Sequence, residues 1–278
     1  MIAGLLFATI TGAALHGNIL YTWGDRLLAW TLPKLATRTL AIPAHRATAG
    51  CLDESGTGLF LQEGDRLVYR RGPNWTPHVI DHGVDMHDCL AATLLGHRGV
   101  LVPHRGMQLR FYEFPDFHYR ELYSFYSASR QGGLLVADID GDGLPDILCG
   151  NYWIKSPTDF DLPWHDFAIE LYNDQPLAAT LRLELNDDDL TVAQGELANG
   201  RVARFHKPAD PKQLWTEQRL GEFHYPRALA GALIGEDNGP HSRLFLDGKP
   251  VGETDGTLAA FRYRKGYILV SRNAVYRK

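Results

Sequence analysis

Cysteine is scarce in this chain. Three residues, Cys51, Cys89 and Cys149, are too few for a disulfide framework, and each sits in an apolar, strand-like run. The expectation is three buried free thiols, with no redox or zinc spacing around them. A bilayer-spanning segment is missing too, since such a helix needs about 20 consecutive apolar residues. Positive charge is not in excess: 28 Lys and Arg against 33 Asp and Glu leave a formal net charge of −5. That balance provides no basic footprint for nucleic acid. Sustained helical periodicity is absent, and Gly and Pro fall mostly between the strand-like runs, so the fold class is all-β. The sequence also lacks a nucleophile elbow, a phosphate loop and a dinucleotide fingerprint.

What is present is an apolar fraction of 45% with a mean hydropathy of −0.22, an ordinary globule with ample core. Small-residue apolar runs recur at 5–12, 47–52, 90–96, 134–137, 177–181, 229–235 and 258–261. Most are separated by about 40 to 50 residues, the period of a four-stranded propeller blade, and small residues suit the innermost strand, where blades crowd together. A second strand follows each run, for instance 59–61 or 99–102, and a hairpin leads to a third, for instance 66–69. The outer strand has its own form, a Trp, four residues and an aliphatic, at Trp75 to Ile80, Trp164 to Ile169 and Trp215 to Leu220. Seven inner strands predict a seven-bladed β-propeller over residues 1–278, with no Ser- or Pro-rich linker to divide it. Six blades is the alternative, because the interval from Leu229 to Leu258 is short for a full blade. The first ten residues have some look of a signal peptide but lack its Lys/Arg start, and 5–12 matches the other inner strands, so a strand is expected there. The composition is that of a soluble protein; the compartment, secretion included, stays open.

The most specific stretch is Asp138-Ile139-Asp140-Gly141-Asp142-Gly143-Leu144-Pro145-Asp146, set between the apolar runs 134–137 and 147–149. Carboxylates at alternate positions, with glycines that permit a tight curl, suit a hard cation such as Ca²⁺, which takes six to eight oxygens. An EF-hand is excluded, because its twelfth position, which needs a bidentate Glu, is Cys149, and the flanks read as strands rather than helices. The hairpin resembles the FG-GAP/VCBS repeat, the Ca²⁺-loop blade of integrin-type β-propellers, and the following Gly-Asn-Tyr-Trp is also common there. The resemblance covers roughly one blade. It implies Ca²⁺ held by Asp138, Asp140, Asp142 and Asp146 with the Leu144 carbonyl, as a structural staple rather than a catalytic ion. The other blades depart from the pattern: 53–56 is shortened, 96–99 has no carboxylate, and 186–189 keeps the charges but loses the glycines. One metal site is expected.

A second candidate emerges when the inner strands are aligned on their small-residue cores. The positions just before them hold His45 and Arg46, His87 and Asp88, Arg130, and Arg227 with His224 close by. In a propeller these lead-in positions converge on one face of the central channel. Arg46, Arg130 and Arg227 suit a carboxylate or other oxyanion, while His45, His87, Asp88 and His224 are the candidates for acid–base work. Trp153 is a candidate surface for stacking a sugar, although blade packing accounts for it equally well. Two functions follow. One is a binding module for a carbohydrate, another small polar ligand or a protein partner. The other is an enzyme performing elimination or isomerisation on a sugar-like substrate with the His/Asp/Arg cluster; the fold does not choose between them.

Overall fold

The computed structural model describes residues 2–5, 9–105, 108–124, 133–170, 182–195 and 197–278. Apart from a single 3-10 turn at Gly239–His241, every element among them is a β-strand, and none is a helix long and apolar enough to cross a membrane. The strands form seven four-stranded antiparallel sheets, and the protein is a seven-bladed β-propeller. We number the blades in chain order: residues 10–41, 47–82, 90–124, 134–168, 182–223 and 226–254 for blades 1 to 6, with blade 7 drawn from both ends of the chain.

The blades show why the apolar runs recur. The second strand of a blade is covered on both faces, so it reads as a continuous apolar run rather than an alternating one. Leu59, Phe60 and Leu61 in blade 2, and Val100, Leu101 and Val102 in blade 3, are all fully buried. Fourth strands such as Pro77–His82 and Thr216–Phe223 are mostly exposed and carry the charges. Trp75, Trp164 and Trp215 each stand at the start of a fourth strand and are buried, which explains the repeated Trp spacing.

The chain divides into two compact units, residues 1–85 with 224–278, and residues 86–223. In the first, apolar clusters join blade 6 to blade 7, blade 7 to blade 1 and blade 1 to blade 2. In the second, clusters join blade 3 to blade 4 through residues such as Phe111 and Phe160, and blade 4 to blade 5 through Trp153 and Phe205. Each fully buried Leu or Phe in these clusters contributes about 1.5–3 kcal/mol.

The strand expectations meet three different outcomes. The run 5–12 is not one inner strand: Ile2–Leu5 pairs with Ala274–Arg277 as the outermost strand of blade 7, and Ile10–His16 is the first strand of blade 1. The short interval after Leu229 is a complete blade, because its four strands, Pro226–Ala230, Leu233–Glu236, Ser242–Leu246 and Lys249–Thr254, are joined by short turns. The expectation of seven blades therefore holds, and the six-bladed alternative falls. The run 177–181 lies outside the described residues, and the described first strand of blade 5 is Arg182–Asn186. The cysteines also depart from three free thiols: Cys149 is free and buried, whereas Cys51 and Cys89 are not free.

Candidate metal loop and the turns that lead into the inner strands

The Asp-rich loop joins the first strand of blade 4, Leu134–Ala137, to its second, Asp146–Cys149, with Ala137 paired to Asp146. Two glycines shape it, Gly141 at φ +77° and Gly143 at φ +83°, backbone that side chains with a Cβ rarely adopt. Their N–H groups donate to the two oxygens of Asp138, at 2.8 and 2.9 Å, and Leu144 N–H donates to Asp142 Oδ1 at 2.9 Å. Asp146, fully buried, accepts from Ile139 N–H at 3.0 Å and Ser156 N–H at 2.8 Å. The backbone thus turns the carboxylates inward. One oxygen from each of Asp138, Asp140 and Asp146 lies within 4.8 Å of the other two.

Charge in this loop is only partly compensated. Lys155, at the end of strand Tyr152–Lys155, donates from Nζ to both Asp140 and Asp142. Burial pulls the Lys155 ammonium down, but those two carboxylates outweigh it and hold it up at about 12. The same bond from Lys155, with Leu144 N–H, keeps Asp142 below its ordinary value. Asp146 goes the other way: burial pushes its carboxyl up to about 6 against its two N–H donors, with the charge of Asp140 adding to the rise. Asp140 Oδ1 is buried without a hydrogen-bond partner. Three converging carboxylates and an orphaned oxygen fit a hard cation.

The loops that depart from the pattern are held by other means. In blade 2, Asp53 accepts from Tyr69 OH at 2.7 Å, Ser55 Oγ at 2.8 Å and Thr57 N–H at 3.0 Å. In blade 5, Lys207 lies 3.2 Å from Asp188 and His206 lies 3.0 Å from Asp189. Among the described residues, the only carboxylate cluster with metal spacing is the one in blade 4.

The lead-in residues are spread over several local contacts. In the first unit, His45 is exposed with its ring over Gly64, and Arg46 stands 3.7 Å from Asp25. His224 is half-buried, with its N–H donating to Glu236 Oε1 and its ring edge-on to Tyr225. Arg227 lies 3.3 Å from Asp237, a carboxylate only 2% exposed, and Arg272 reaches the same carboxylate at 2.7 Å. In the second unit, His87 and Asp88 are half-buried in the turn before Leu90–Leu94. Asp88 accepts from its neighbour Cys89 N–H, and from Gly133 and Leu134 N–H at the start of blade 4. Its oxygens hold backbone, which gives this carboxylate a structural role. Arg130 lies outside the described residues.

Trp153 is corrected. It is fully buried, stacks on Phe167 with ring centroids 4.7 Å apart and donates Nε1–H to the Pro211 carbonyl at 3.0 Å, so neither ring face is left for a sugar. Asp237, Arg272 and Lys155 are the residues that strand-start alignment misses. Asp237 and Arg272 sit in turns after second strands, and only an alignment of those turns would have found them.

No protein-family model and no curated protein matches this chain. Among solved structures, the chain is similar to the β-propeller domain of Cps50 (Swd1) from Myceliophteria thermophila, with TM-score 0.64 and 12% identity over 97% of this chain and 96% of that one. It is also similar to the AfRom2 CNH domain, with TM-score 0.60 and 11% identity over 100% and 99% of the two chains. A third likeness is to hydrazine synthase of Kuenenia stuttgartiensis, with TM-score 0.59 and 10% identity over 94% and 93%. At such identities the likeness is one of fold, and the fold the chain shares with them is the β-propeller.

Proposed function

We propose that this chain is a non-catalytic binding propeller of the FG-GAP/VCBS kind, stapled by Ca²⁺ at blade 4, that takes a small acidic ligand such as a carboxylated sugar where the first strand of blade 6 begins and the second strands of blades 6 and 7 end. The observation that carries the ligand site is Asp237, which is buried between two guanidiniums, Arg227 and Arg272, that stay 37% and 40% exposed. One carboxylate stands against both arginines and accepts a hydrogen bond from Arg272 at 2.8 Å, which holds that guanidinium in place. A planar oxyanion is what such a pair recognises, because paired N–H groups match its geometry. The acid–base alternative has no comparable support, since Asp88 is committed to backbone N–H groups.

Ca²⁺ belongs to this reading as a structural ion. Asp138, Asp140, Asp142 and Asp146 would hold it with the Leu144 carbonyl; when bound, it neutralises converging carboxylates and pins the hairpin. Wild type and Arg272→Ala, titrated with neutral and carboxylated monosaccharides and oligosaccharides, test the ligand site. Carboxylated members should bind to wild type and bind about tenfold or more weakly to the variant, as expected for a lost charge-assisted hydrogen bond. Equal affinity for neutral and carboxylated sugars, or no loss in the variant, would remove the acidic-ligand reading.

A further inference from the structure

The blade 4 loop has a cation of the chain's own set against it. Lys155 Nζ donates to Asp140 and Asp142 together, and both are among the carboxylates assigned to calcium above. We infer that Lys155 is a resident counter-cation that exchanges with the metal, so that it sets the calcium affinity of the loop and keeps the loop folded when calcium is low. The inference rests on the calcium reading and adds a residue outside the nine-residue loop itself.

Three observations support exchange over a permanent ion pair. First, the ammonium and a Ca²⁺ ion would share Asp140: an ion about 2.3–2.6 Å from its ligand oxygens would stand next to an ammonium bonded to the same carboxylates, where like charges repel. Second, the ammonium is an incomplete substitute. It serves Asp140 and Asp142, while Asp140 Oδ1 stays buried without a partner and the converging oxygens of Asp138 and Asp146 receive only backbone N–H groups. Third, Lys155 is free to leave, since its side chain is 27% exposed at the end of a strand and has a flexible four-carbon stem.

The test uses the whole chain as wild type, Lys155→Met, which keeps the apolar stem, and Lys155→Gln, which keeps a hydrogen-bond donor without the charge. Calcium affinity is read by calorimetry after chelation, and melting temperature is read in EGTA and in saturating Ca²⁺. Both variants should bind Ca²⁺ at least tenfold more tightly than wild type, melt below it in EGTA and lose that deficit in saturating Ca²⁺. If wild type and variants bind Ca²⁺ with the same affinity, Lys155 does not compete and the inference fails while the calcium reading stands. If no form takes up Ca²⁺, both fail, and a lower melting temperature of the variants then marks Lys155 as a permanent ion pair. Lys155→Gln guards against a variant that simply folds badly: a Met variant that fails where Gln binds tightly still supports competition by charge.

Discussion

Asp88 Oδ2 accepts the backbone N–H of Gly133 at 2.7 Å, so a carboxylate in the turn before blade 3 holds the start of blade 4, 45 residues along the chain. Asp88→Ala should leave the N–H groups of Gly133 and Leu134 without their acceptor and cost about 1–3 kcal/mol. For a chain of this size that is a fall of roughly 2–4 °C in Tm per kcal/mol. Thermal and urea unfolding of the variant measure it, and an unchanged curve would return Asp88 to the acid–base candidates.

Trp153→Ala should be among the most damaging single substitutions, costing about 3–5 kcal/mol through the cavity it leaves. It also removes the donor to the Pro211 carbonyl. A variant that folds as stably as wild type while losing sugar binding would contradict the burial of this ring.

On the calcium reading, chelation should lower the melting temperature while leaving the β-sheet circular dichroism in place, because only blade 4 would lose an ion and the apolar clusters of the blades remain. Mass action sets the size of the shift from the metal affinity. Asp140→Ala should abolish most of the calcium-dependent shift, whereas Asp188→Ala, which loses only a largely exposed ion pair with Lys207, should change stability by no more than about 1 kcal/mol. Equal effects of the two substitutions would point to a second ion at blade 5.

Acid should weaken the blade 2 hairpin through Asp53. Burial acts to raise this carboxyl, but the bonds from Tyr69, Ser55 and the backbone outweigh it and hold it below its ordinary value. A depressed carboxylate stabilises the fold fully above its unfolded pKa, near ~3.9, and that contribution is lost as pH falls through the folded value. Tyr69→Phe should therefore cost about 1–2 kcal/mol at pH 7 and less at pH 3, because acid progressively removes the carboxylate charge that the Tyr69 hydroxyl stabilises. Urea midpoints at the two pH values decide it; a penalty that grows on acidification would refute the assignment.

Much of the fold is legible in the sequence because it is written in contiguous residues. Doubly covered second strands require unbroken apolar runs such as Leu59 to Leu61, the start of a fourth strand takes a buried Trp at 75, 164 and 215, and alternating carboxylates with two glycines at positive φ define one loop at 138–146. These patterns announce strands, a blade period and a cation-shaped turn without reference to any distant residue. What the sequence left open depends on partners far apart along the chain. Ile2–Leu5 completes blade 7 because it pairs with Ala274–Arg277, and that pairing, with the short turns of blade 6, decides seven blades over six. Lys155 reaches the Asp loop from the third strand, Arg227 and Arg272 meet on Asp237, and Trp153 points into the cluster shared with blade 5 rather than toward solvent. Periodicity states that a side chain lies on one face of a strand. Which charge or ring waits on that face is decided only when the sheets pack.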